Sequence, residues 1–88
     1  MSAIERLLLL ARFYREATGL KAVTLSWRLF GDSKKLGLIE NGGDIQVTRY
    51  EKAVQWFSDN WPDAPWPPAA GPRPERTPET APADEVAA

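Results

Sequence analysis

Lys34 and Lys35 stand side by side, with Ser33 before them and Leu38 and Asn41 following at helical spacing. Groups gathered in this way can meet a polyanion. Lysine donates to a guanine edge or a phosphate, asparagine suits a base edge or a phosphate, and an outward leucine can touch a thymine methyl. The plainer alternative for adjacent lysines is a solvated helix face, and it stays open at this point. Glu40 invites a catalytic reading, but no second acid, base or nucleophile stands at a workable spacing from it. Its simpler role is a carboxylate closing a helix ahead of Asn41-Gly42. With no cysteine and no histidine, the chain holds no disulfide, no Cys/His metal set and no imidazole base. The expectation is therefore a protein that is not an enzyme and needs no metal and no cofactor.

The elements that must position these groups fit into a short stretch of chain. All eight prolines lie between Pro62 and Pro82, and beyond Pro62 only Trp66 and Val86 are sizeable apolar groups. That composition buries too little apolar surface to offset chain entropy, so residues 62–88 are expected to form a disordered Pro/Ala/acidic tail with polyproline II leaning. Trp66 alone is able to fold back. Residues 1–61 remain as the domain, near the lower size limit for folding without a staple. The net charge of -1 hides an asymmetry, because residues 1–61 carry nine basic against seven acidic side chains and the tail two against five. A mildly basic domain is compatible with nucleic acid without demanding it. No apolar run approaches membrane-spanning length and no signal-peptide pattern opens the chain, so no membrane partner is expected. The missing cysteines permit a cytoplasmic protein, which is the compartment expected here.

Helix signals divide the domain into four. Ser2 and Glu5 form an S-x-x-E capping box, which predicts a first helix from about Ala3 to Thr18, ended by Gly19. Its inward positions are Ile4, Leu7, Leu8, Ala11, Tyr14 and Ala17, with Leu10 and Phe13 as alternatives. A second helix runs from about Lys21 to Phe30 and stops at Gly31. It is apolar on two adjoining faces, so it is expected to be well buried between other helices. Asp32 or Ser33 caps a short third helix ending at Glu40, with Leu36 and Ile39 inward. The fourth is signalled by a second box, Thr48 and Glu51, or by Asp44, and carries Val47, Tyr50, Ala53, Val54 and Phe57 on one side. Asn60-Trp61-Pro62 closes it. The predicted class is all-α. Trp27, Phe30, Trp56 and Phe57 are expected in the core, since so small a domain needs bulky groups.

The stretch from Gly19 to Gly42, GLKAVTLSWRLFGDSKKLGLIENG, has the pattern of a helix pair built to dock. Leu25-Ser26 supplies the apolar-small pair where two helices cross, Phe30-Gly31 the turn, and Leu36 and Ile39 the pins of the second helix. Ser33, Lys34, Gly37, Leu38 and Asn41 are left along its outer side, thin at Gly37, as a helix entering a major groove requires. On these residues the chain resembles the lambda-repressor-like (Cro/C1, XRE) helix-turn-helix family. Its pattern is occupied without a gap by Gly19-Leu20, Leu25-Ser26, Leu29, Leu36, Ile39-Glu40 and Gly42. Three positions depart from it: Phe30 stands where the turn glycine is usual, Ala22 replaces an opening glutamine, and Gly37 removes a side chain from the centre of the recognition helix. The resemblance covers about residues 4–58.

The resemblance implies a compact four-helix helix-turn-helix domain and a small transcriptional regulator. It would bind double-stranded DNA as a homodimer, with half-sites about one helical turn apart. Ser33, Lys34, Leu38 and Asn41 are then the base-reading candidates, and Lys21, Arg28, Lys35 and Arg49 the phosphate candidates. Two rivals remain. One keeps the fold as a protein-binding module, an adaptor or an inhibitor, with Leu9, Trp61 and Trp66 as the partner patch. The other shifts the register by one helix and makes residues 21–30 the reading helix. That register puts Arg15 at the crossing, points Arg28 inward and tends to expose Trp27.

Overall fold

The computed structural model describes residues 2–77. Among them there are four α-helices and no strand: α1 (Ala3–Thr18), α2 (Ala22–Phe30), α3 (Lys35–Glu40) and α4 (Val47–Asn60), followed by one 3-10 turn at Pro68–Ala70. No helix among the described residues is long and apolar enough to cross a membrane.

Local chemistry sets the helix ends. The Ser2 hydroxyl accepts from the Glu5 amide at 3.1 Å, and the Ser2 amide donates to the Glu5 carboxylate at 3.1 Å. Both arms of the predicted box therefore close, and the Ser2 amide bond holds the Glu5 carboxyl below its ordinary range. Gly31 ends α2 at φ 68°, a left-handed conformation open to glycine at little cost. At α3 the Asp32 carboxylate accepts from the Lys34 amide at 2.8 Å, so Asp32 and not Ser33 prepares the turn. The Thr48–Glu51 box does not form. The helix starts one residue ahead of Thr48, at Val47 after Gln46, with no side-chain cap. Asp44 does not cap it either, because its carboxylate accepts from the neighbouring Ile45 amide at 2.8 Å.

α1 and α4 pack along one another and α2 and α3 close one end of the pair. The core is Leu7, Leu10, Ala11 and Tyr14 from α1, Leu25 from α2, Leu36 and Ile39 from α3, and Ala53, Val54 and Phe57 from α4. Leu10 is therefore an inward residue of α1, while Ile4 and Leu8 flank the core and Phe13 and Ala17 face outward. Tyr14, Trp56, Phe57 and Trp61 interlock with ring centroids 5.3–6.1 Å apart, in tilted and edge-to-face arrangements.

Two expectations are corrected. α2 is not sandwiched: Trp27 is 62% and Val23 56% exposed, and Val47 of α4 is exposed as well. Leu25 and Ser26 are fully buried, but α3 is only six residues long and leaves the flank of α2 beyond Ser26 uncovered. The chain from Pro62 to Thr77, expected to be disordered, lies ordered along α1 and α4. Its order comes from polar groups and two tryptophans, not from a run of aliphatics. Arg6 donates to the Pro72 carbonyl at 2.8 Å, Arg73 to the Ser58 carbonyl at 2.6 Å, and the Ser58 hydroxyl to the Pro74 carbonyl. Ala70 is buried against α1. Residues 78–88 of the expected tail lie outside the described residues.

Candidate functional site

The geometry of the candidate site is set where α2 crosses α3. Ser26 is fully buried, and its hydroxyl does two things at once. It donates to the Asp32 carbonyl at 2.5 Å and accepts from the Leu36 amide at 2.9 Å. A small residue at the crossing lets the helices approach. A hydroxyl there also pairs the Leu36 amide, which the first turn of α3 would otherwise leave unpaired in the interior, and adds a donor to the Asp32 carbonyl beside the Lys35 amide. Leu36 and Ile39, each 1% exposed, fasten the inner side of α3 to the core. The angle between the two helices is thus fixed by one polar clamp and two apolar pins.

With its inner side committed, α3 presents its outer side to solvent. Ser33 and Lys34 are exposed at its start, Leu38 is 58% exposed at its middle, and Gly37 between them carries no side chain. Asn41 is exposed at its end, but its side-chain amide donates to the Gly37 carbonyl at 2.8 Å and closes the last turn. Of the four base-reading candidates, then, Ser33, Lys34 and Leu38 present exposed side chains, and Asn41 serves the helix end.

The phosphate candidates divide in the same way. Lys21 stands exposed at the start of α2 and Arg28 exposed near its end. Lys35 is half-buried and donates to the Asp44 carbonyl at 3.0 Å, so it holds the loop between α3 and α4. Lys35 nonetheless lines a shallow cleft with Asp44, Ile45, Gln46 and Arg49, which brings two of the four predicted cations together. Neither α2 nor α4 carries a side-chain N-cap.

The remaining candidates are placed differently from the sequence expectation. Leu9 is half-buried and packs against the core, because α1 is covered on a wider arc than its strongest apolar stripe suggests. Trp61 and Trp66 lie 4.8 Å apart and turn toward each other. Their indole N–H groups are spent on the Ala64 and Gly71 carbonyls, both at 3.0 Å. One side of the pair still borders a shallow apolar groove with Phe13, Ala17 and three prolines, Pro65, Pro67 and Pro68. Glu40 is exposed at the end of α3.

No protein-family model, no curated protein and no solved structure matches this chain.

The geometry also bears on the register. Trp27 is exposed, as the shifted register would have it. The other two requirements of that register fail: Ser26, not Arg15, is the buried residue at a helix crossing, and Arg28 is exposed instead of inward. Arg15 lies half-buried and donates to the Leu20 carbonyl at 3.2 Å, bracing the turn after α1.

The sequence missed Asp59 and its neighbours. The Asp59 carboxylate accepts from the Thr77 amide and hydroxyl, each at 2.7 Å, and from Gln55 at 2.9 Å. Partial burial pushes its carboxyl upward, but those hydrogen bonds and the Arg76 guanidinium outweigh it and hold the group below its ordinary range. Four residues of the Pro-rich segment (Pro74, Glu75, Arg76 and Thr77) bond the last turns of α4 at Gln55, Ser58 and Asp59. The arginines at 73 and 76 inside a Pro-rich stretch were the available signal.

Proposed function

We propose that α2 and α3 form a helix-turn-helix unit and that the protein binds double-stranded DNA, with the outer side of α3 in the major groove, as a small transcriptional regulator. The observation that carries this reading is the Ser26 hydroxyl bridging the Asp32 carbonyl and the Leu36 amide. It locks α3 at one angle to α2 while leaving Ser33, Lys34, Gly37 and Leu38 on the free side. Lys34 is the donor placed to reach a guanine edge, Leu38 the group placed against a thymine methyl, and Ser33 a further hydrogen-bonding group at the helix start. Lys21, Arg28 and Arg49 set affinity through phosphates and carry no sequence information. Catalysis has no part in this reading.

One α3 of six residues spans few base pairs. The proposal therefore includes two copies on a two-fold symmetric site, with half-sites about one helical turn apart. The rival role as a protein-binding module draws less support, because Leu9 packs on the core and both indole N–H groups of the Trp61–Trp66 pair are already bonded.

The test is selection of bound duplexes from a randomised pool at about 100 mM salt, where counterion release does not mask sequence preference. Enrichment of a symmetric motif, lost on Lys34→Ala, is the expected result. Binding with no enrichment in any round would refute sequence-specific reading by α3.

A further inference from the structure

Trp27 is more exposed than a residue of its size should be in a domain this small, and it is not alone. Val23 lies one turn earlier on the same flank of α2. By helix geometry the two sit about 60° and 100° around the axis from Ser26, on the same side of it. Ser26 is the α2 residue that bonds α3, so the Val23–Trp27 ledge lies on the flank of α2 turned toward that helix. Exposed cations border the ledge in sequence: Lys21 before it, Arg28 directly after Trp27, and Lys34 at the start of α3. An indole and a valine with exposed cations on the adjoining solvent face of the same helix, about 100–120° around the axis, suit a partner that is both anionic and partly apolar. The backbone of a nucleic acid has that chemistry, since each phosphate alternates with a deoxyribose whose ring carbons form an apolar surface.

We infer that Trp27, with Val23, packs on the deoxyriboses of the duplex strand that α2 crosses while α3 lies in the groove. This rests on the DNA-binding reading above and adds to it a contact of a different physical kind. Lysine and arginine contacts release counterions, and their contribution falls as salt rises. An indole pressed on a sugar ring releases none. Its contribution comes from removal of apolar surface from water, is the same for every sequence and persists at high salt. The ledge therefore gives the protein a salt-resistant, sequence-independent share of its affinity, and it seats α2 on the backbone so that α3 enters at a fixed depth.

The experiment titrates full-length protein against a mixed-sequence 20-base-pair duplex over a series of salt concentrations, for the wild type, W27A, W27F and R28A. Trp27 is exposed and lies outside the buried core, so circular dichroism of W27A should match the wild type and exclude a folding artefact. For W27A the expected result is about a tenfold loss of affinity at every salt concentration, with the slope of log affinity against log salt unchanged. W27F should recover most of the loss. R28A, at a phosphate candidate, should instead reduce the slope by about one. Unaltered affinity in W27A, with R28A behaving as described, overturns the sugar contact and leaves the DNA reading standing. A W27A loss that appears only as a changed slope also overturns it. No measurable duplex binding by the wild type overturns both.

Discussion

Replacing Ser26 by alanine separates two accounts of the α2–α3 crossing. If the position requires only a small side chain, Ser26→Ala is neutral, since alanine is smaller and needs no partner. The structure predicts otherwise, because the fully buried hydroxyl is the partner of the buried Leu36 amide and a second donor to the Asp32 carbonyl. Leaving a buried donor unpaired costs about 1–3 kcal/mol, and the carbonyl, with two lone pairs, adds less. A loss of about 2 kcal/mol follows. At about 4–8 °C per kcal/mol for a domain of this size, the melting temperature should fall by about 8–16 °C. Urea unfolding should report the same loss with an unchanged m-value, since the surface exposed on unfolding is the same. Amide hydrogen exchange gives the sharper signature: the Leu36 amide should lose protection far more than Ile39, which lies on the same helix. A stability change under about 0.5 kcal/mol together with full protection of the Leu36 amide would refute the clamp.

The remaining predictions concern positions the sequence left ambiguous. Ending the chain after Trp61 should destabilise the domain by at least about 3 kcal/mol relative to a chain ended after Thr77, from the loss of Trp66 packing and of the Arg6 and Arg73 bonds, as thermal unfolding of the two would read. Asp59 stabilises through its ionised form, because its carboxyl is held below the ordinary value of 3.8. That contribution is complete above pH 3.8 and vanishes as the pH falls through the lowered value, so the stability gap between wild type and Asp59→Ala should be constant at neutral pH and close in acid. Gly43→Ala should destabilise by about 1–3 kcal/mol, since its Cβ would stand 2.7 Å from the Leu38 carbonyl oxygen, a backbone atom that cannot move aside. Gly37→Ala meets nothing within 4 Å and sits inside a helix, so it should stabilise by about 0.5–1 kcal/mol in thermal unfolding while weakening duplex binding through the added methyl.

The helix ends were legible because they are local events. Ser2 and Glu5, Gly19, Gly31 and Asn60-Trp61-Pro62 each carry their signal within a few residues, and the structure places an end at each. Leu25-Ser26, Leu36 and Ile39 were legible as crossing and pins because spacing alone identifies them. Trp27 was not, since periodicity reports that a residue is apolar without reporting whether a neighbouring element exists to cover it; α3 is too short to do so. Thr48 and Glu51 matched a capping pattern that the loop ahead of them does not use, because Gly43–Gln46 delivers the chain two residues early, with Gln46 and not Thr48 at the N-cap. The order of Pro62–Thr77 escaped a composition argument for a different reason. Composition weighs apolar area, whereas this segment is held by the Trp61–Trp66 pair, by guanidinium groups on backbone carbonyls and by one carboxylate, Asp59, on the Thr77 amide and hydroxyl. Asn41 and Lys35 were identified by residue type as ligand groups, but both serve the local backbone, a choice that only three-dimensional placement reveals.

In the proposed role the outer side of α3, with the flank of α2 beside it, meets the duplex. Titration of isotope-labelled protein with a selected duplex, followed by amide chemical shifts, reads that surface residue by residue. Shifts should concentrate at Lys21–Arg28 and Ser33–Asn41, with the groove of Phe13, Trp61 and Trp66 unchanged. Shifts confined to that groove, or none at saturating duplex, would refute DNA binding through α3.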